Sequence, residues 1–149
     1  MKRRDDLEIK VLEFLYKWFR PIRIGDLRKE LLQEKINIPH SSLNSIVLRL
    51  EKEGFVSWEK YGAVKLTQEG QQKAAHQQRH FHLLVMFLMD TLGLSHEDAR
   101  KESYRISSLI SCNLIEAMNQ RLNNPVKCQC DAAIPIVEGC AINESVEEL

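Results

Sequence analysis

The chain has no net charge. Its 21 Lys+Arg are balanced by 21 Asp+Glu over 149 residues, which argues against a generally basic nucleic-acid binder. It also lacks a long hydrophobic run: the longest, Leu83 to Met89, falls far short of the roughly 20 residues that span a bilayer. The opening MKRRDDLE sets two acids directly behind its basic residues and has no apolar stretch, so it is not read as a signal peptide. No nucleophile sits beside a base at a readable spacing. No glycine loop is built to hold a phosphate, and the Asp/Glu pairs fall on solvated faces. The expectation is a cytoplasmic protein, not an enzyme and with no membrane association, whose four cysteines are thiols or ligands rather than disulfides.

Hydrophobic content of 44% and charged content of 28% describe a globular chain, long enough for one core or two small ones. The charge is unevenly spread. Residues 1–75 carry 15 Lys+Arg against 11 Asp+Glu, whereas residues 76–149 carry 6 against 10. A basic half joined to an acidic half suggests a DNA-facing domain over 1–75 and a second domain over 76–149.

The first half has the order of a winged helix-turn-helix. Leu7, Val11, Leu12, Phe14, Leu15 and Trp18 define an amphipathic helix over Leu7 to Phe19, ended by Pro21. A second helix fits Ile24 to about Glu34. Pro39 and the serines behind it supply a stop and a cap for a third, from about Ser42 to Glu53. There Leu43, Ile46, Val47 and Leu50 share one face. Ser41, Ser45, Arg49 and Lys52 occupy the other, with Ser42 and Asn44 near its N-terminal end, and Leu48 is also directed outward. Short hydrogen-bonding side chains followed by cations suit a recognition helix that reads base edges and holds phosphates. Phe55 to Thr67 alternates as a β-hairpin wing around Tyr61-Gly62, with Lys60 at its tip and Thr67 capping the next helix.

The second half begins with one helix running to Leu92. Phe81 to Met89 is apolar on every side apart from His82, and such a helix must be covered all round. A single winged helix does not offer that cover, which points to a homodimer. Gly93 breaks the helix, and Ser95 caps a further one expected to continue to about Leu122, with Glu97 and Asp98 in its first turn. Pro125 opens a tail holding Cys128, Cys130 and Cys140. The fold class is mainly α with a small β-hairpin wing, an N-terminal winged helix-turn-helix followed by a C-terminal helical dimerisation domain.

Over about residues 5 to 136 the chain resembles the iron- and manganese-dependent repressors of the DtxR/MntR type. The resemblance rests on Leu66-Thr67-x-x-Gly70, Leu83-Leu84-x-x-Phe87-Leu88, Leu92-Gly93-Leu94, Ala99, Pro125-x-x-Cys128 and Ile134-Pro135. It implies dimers that bind pseudo-palindromic operators in double-stranded DNA when a divalent metal is bound, here without the SH3-like third domain of longer members. The resemblance also implies where metal ligands belong. The His-x-x-x-Glu of the dimer helix falls on Phe81 and Val85, the Cys/Glu-x-x-Glu-His group on Tyr104, Ser107 and Ser108, the lone histidine on Arg100, and the first-helix ligands near Leu7 and Lys10. None of these matches the expected ligand types, so the usual divalent site is taken as absent.

Two other donor sets remain. His76 and His80 share a helix face and could share a metal. With no carboxylate partner within a turn, these two are read as exposed polar residues leading into the dimer helix, and the role of His82 is left open. Cys112, in the helix one turn after Ser108, and the tail residues Cys128, Cys130 and Cys140 are the stronger candidates. Together they could hold an iron–sulfur cluster, with a zinc ion or no metal as the alternatives. Function is accordingly expected to be transcription regulation linked to iron, iron–sulfur or redox status, with a metal-free thiol response or a protein-interaction scaffold as the other readings.

Overall fold

Apolar residues at helical spacing, cut short by Pro21, give helix α1 (Arg4–Trp18), which buries Val11, Leu12, Phe14 and Leu15. The computed structural model describes residues 4–59, 62–128 and 132–137. Strand β1 (Ile22–Arg23) follows; two residues carry no periodicity, and it is not expected from the sequence. Helices α2 (Ile24–Gln33) and α3 (His40–Lys52) come next. Pro39, not a serine, is the N-cap of α3 and makes no side-chain capping bond. Ser41 and Ser42 therefore lie in the first turn, where the Ser41 carbonyl accepts a 3.0 Å bond from the Ser45 hydroxyl.

Strands β2 (Val56–Trp58) and β3 (Ala63–Leu66) form the antiparallel wing, and β1 adds to its free edge in the order β1-β3-β2. The register pairs Val56 with Leu66, and Val64 with both Trp58 and Ile22. Val56, Val64 and Leu66 thus face the same core as Leu27, Leu43 and Leu50. Lys60 and Tyr61 lie outside the described residues.

The base of the wing is clamped to helix α4 (Gln68–Leu92). The Thr67 hydroxyl donates to Gly54 O at 2.6 Å and accepts from Gly70 N–H at 3.0 Å, while Thr67 N–H donates to Phe55 O at 3.0 Å. A Cβ on Gly70 would stand 1.8 Å from that same Phe55 oxygen, so no side chain fits there. The Leu-Thr-x-x-Gly sequence is the imprint of this clamp.

The chain divides into two compact units between Ala74 and Ala75, inside α4. In the second, α4 ends at Gly93, whose φ of 72° favours glycine and whose N–H bonds back to Met89 O at 3.0 Å. Ser95 accepts from Asp98 N–H at 3.1 Å and caps α5 (His96–Ile106). The helix expected to continue to Leu122 is in fact two. A 3-10 turn at Ser107–Leu109 and an extended Ile110 interrupt it, and Ser111 then caps α6 (Cys112–Arg121) by accepting from Leu114 N–H at 3.1 Å. The Ser111 cap is what lets the helix restart after the break.

Residues Phe81 to Met86 of α4 are all buried within this unit. Ala99 of α5, Ile115 and Met118 of α6, and Cys128 and Ile134 of the tail pack around them. The inference that a partner subunit must supply this cover is thereby corrected: the chain covers these residues itself. The tail folds back as a narrow loop, with Ile134 N–H bonding Val126 O at 3.0 Å and Cys128 N–H bonding Ala132 O at 2.9 Å. Among the described residues no helix is long and apolar enough to cross a membrane.

Thr67→Ala should lower the unfolding free energy of the first unit by about 1–2 kcal/mol, the usual cost of losing an N-cap. Gly70→Ala should cost more, because the Phe55 carbonyl cannot move without opening the wing. Urea unfolding followed by tryptophan fluorescence checks both, since Trp18 and Trp58 belong to this unit.

Candidate nucleic-acid interface and metal centre

The outer face of α3 is the first candidate surface. Ser41, Ser45, Leu48 and Lys52 are exposed, while Ser42 and Asn44 are half-buried. Asn44 Nδ2 lies 3.0 Å from His40 Nδ1, an i, i+4 contact that orders the side chain near the helix start. Arg49, expected on the DNA-facing side, is instead ion-paired with Glu8 of α1. Its guanidinium holds α3 against α1, so the exposed cation of this helix is Lys52. Lys60 lies outside the described residues.

The second candidate lies in the other unit. Cys112, expected in mid-helix, is the first residue of α6, because the chain breaks at Ile110 and restarts after Ser111. Its Sγ lies 3.1 Å from His76 Nε2 and 3.5 Å from His80 Nε2. The two imidazoles, one turn apart on α4, have centroids 4.2 Å apart. The ligand atoms of all three residues lie within 4.8 Å of one another. His80 and Cys112 are each only 4% exposed and His76 is half-buried. The expectation of exposed histidines is corrected here. His80 faces into the unit, and His82 is buried too, with its Nε2 3.1 Å from Gln78 Oε1.

An ion pair fixes the register of α6 on α4. Arg79 reaches Glu116 at 3.2 Å and also donates to Pro135 O at 3.3 Å, which binds the tail to the same place. Glu116 is one turn beyond Cys112, so the bridge holds the thiol level with the histidines. Of the other cysteines, Cys128 is a buried thiol in the core of this unit and is not one of the three clustered ligands. Cys130 and Cys140 lie outside the described residues. The sequence groups the cysteines in the tail. The fold takes Cys112 away from that group and sets it beside histidines 36 and 32 residues earlier.

The positions that the family resemblance assigns to metal ligands hold something else. Phe81, fully buried, packs its ring 4.5 Å from that of Tyr104. The Arg100 guanidinium lies 5.3 Å from the Phe81 ring and 5.6 Å from the Tyr104 ring, and donates to Tyr104 Oη at 3.0 Å. Val85 and Ser107 are buried and Ser108 is exposed. These residues do not fit a hard divalent ion: two apolar side chains and a guanidinium fill the space where carboxylate and imidazole are needed.

Residues 67–136 match the family described as "Iron dependent repressor, metal binding and dimerisation domain". An uncharacterized HTH-type transcriptional regulator of Methanocaldococcus jannaschii is 25% identical over 114 residues, covering 76% of this chain and 87% of that protein. Among solved structures, the manganese regulator SloR superposes with a TM-score of 0.75 at 23% identity, over 87% of this chain and 59% of that one. A hypothetical protein of Sulfolobus solfataricus superposes with a TM-score of 0.66 at 21% identity, over 91% of this chain and 100% of that one. The chain spans about three fifths of the manganese regulator's length. Fold and domain match together define a winged-helix protein with a metal-regulator dimerisation domain. Residues 67–136 thus form a domain of the iron-dependent-repressor metal-binding and dimerisation family, the domain of the DtxR/MntR-type regulators that the chain resembles.

Phe81→Ala should cost about 3–5 kcal/mol of stability, as for other buried aromatics. Arg100→Met, which keeps the length but removes the cation, should cost about 1 kcal/mol. Thermal unfolding of the two variants checks the order. A larger loss for Arg100→Met than for Phe81→Ala would show that the guanidinium, not the ring, organises this cluster.

Proposed function

We propose that this protein is a cytoplasmic, homodimeric, sequence-specific DNA-binding regulator of transcription that responds to a metal-linked or redox signal through cysteine. The observation that carries the proposal is the outer face of α3: short polar side chains and a lysine stand exposed beside a wing, in a chain whose family regulates transcription. Ser41, Ser42, Asn44 and Ser45 are assigned to base edges and the backbone nearest them. Lys52 and Lys60 are assigned to phosphates, and Arg49 to positioning the helix through Glu8. The large apolar residues Ile106, Leu109 and Leu114 are exposed in succession along the α5–α6 junction, and an apolar patch of this kind supports a dimer.

The donors around Cys112 bear on the effector. An iron–sulfur cluster held by Cys112, Cys128, Cys130 and Cys140 needs thiolates gathered around one centre. The described neighbours of Cys112 include two imidazoles, which favours a single ion with mixed nitrogen and sulfur ligands over a cluster.

Selection from a random duplex pool, followed by electrophoretic titration at several salt concentrations, tests the DNA reading. The selected sites should be two-fold symmetric, with half-sites about one helical turn apart. Lys52→Ala should weaken binding on every selected site and reduce the slope of log affinity against log salt by about 1. Leu109→Asp should shift the protein toward monomer in sedimentation and lower operator affinity with it. Failure to enrich any sequence, with no salt dependence, would leave a winged-helix scaffold for protein contacts.

A further inference from the structure

The trio of His76, His80 and Cys112 has the geometry of a metal site, at positions other than those the family resemblance assigns to ligands. In a tetrahedral zinc-type centre, bonds of about 2.3 Å to sulfur and about 2.05 Å to nitrogen place sulfur and nitrogen about 3.5 Å apart. The two sulfur–nitrogen separations of 3.1 and 3.5 Å are close to that edge. The converging atoms are the distal Nε2 of two imidazoles set one turn apart on a helix, a spacing that lets both bind one ion. Cys112 is the first residue of α6, and that position brings its sulfur to the two imidazoles. Two of the three ligands are almost fully buried, and the Arg79–Glu116 bridge keeps α6 in register, so the site is built before any ion arrives.

We propose that His76, His80 and Cys112 bind one thiophilic divalent ion of the zinc or cobalt class, in place of the oxygen-preferring manganese-type ion. The ion takes the sulfur as thiolate, and the thiol proton leaves to solvent. The donor types decide the class: thiolate and imidazole suit zinc, cobalt and copper, whereas manganese prefers carboxylate and water. The regulatory meaning of the site rests on the DNA-binding reading above, but the binding of the ion does not.

Anaerobic titration of the full chain with Co²⁺ tests it. The expected result is one ion per chain, with intense visible d–d bands of low-coordinate cobalt and a near-ultraviolet thiolate-to-cobalt charge-transfer band. Zn²⁺ should bleach both at one equivalent, and Mn²⁺ in excess should not. Cys112→Ser should abolish the charge-transfer band, and His76→Gln, at a half-buried position that tolerates change, should lower Co²⁺ affinity by more than about tenfold. Cys128→Ser should leave the band in place. Loss of the band in Cys128→Ser, or its survival in Cys112→Ser, would overturn the three-residue site and return the ion to the tail cysteines. Absence of Co²⁺ binding would reduce the trio to a buried thiol–imidazole contact. Operator titration of the same variants is a separate readout: bound cobalt without DNA binding would sink the regulator and leave the site standing.

Discussion

A helix with six consecutive buried side chains, Phe81 to Met86, imposes the main constraint on the second half of this protein. An ordinary amphipathic helix needs cover on one face. This one needs it on all, and a single chain achieves that only by turning several times around it. α5 supplies Ala99, α6 supplies Ile115 and Met118, and the tail closes the remaining side with Cys128 and Ile134. One continuous helix from Ser95 to Leu122 would run past the target. The serine-rich break at Ser107–Ser111 turns the chain, and the restart places Cys112 against α4. Enclosure and the His–Cys cluster are thus two results of the same change of direction. His82 lies within the enclosed stretch and is accommodated through Gln78, as a buried polar group requires.

The first unit was largely legible in the sequence because its elements announce their ends. Pro21 stops α1, Gly54 follows α3, Thr67 begins α4, and alternation marks the wing. What was missed there depends on contacts: β1 is too short for a pattern, and the Arg49–Glu8 pair joins residues 41 positions apart. In the second unit local signals served for Gly93 and Ser95 and then failed. The break at Ile110 is written in Ser107, Ser108 and Ser111, residues that also occur inside longer helices, so periodicity alone carried the helix across it. The site was less legible still. The helical spacing of His76 and His80 was visible, but nothing local says that Cys112 comes back to them.

The positions that the resemblance assigns to ligands show how a scaffold can persist without its usual donors. The chain keeps the glycine, proline and apolar landmarks of a metal regulator. Yet Phe81, Tyr104 and Arg100 form a packed cluster in which a guanidinium lies against two rings. The cluster carries a positive charge permanently, where the resemblance implies an exchangeable cation.

The clamp at the base of the wing has a mechanical consequence. Thr67 is tied to Gly54, and the Phe55 carbonyl sits where Gly70 leaves room for it, so the hairpin has no hinge between its strands and the first turn of α4. A loop joined flexibly to a helix adjusts to whatever phosphate spacing it meets. This wing cannot adjust by itself. Docked on a duplex as proposed, it would present one fixed angle, and any mismatch would fall on bending of the nucleic acid, whose stiffness varies with sequence. Base pairs that no side chain touches then contribute to discrimination through how readily they deform.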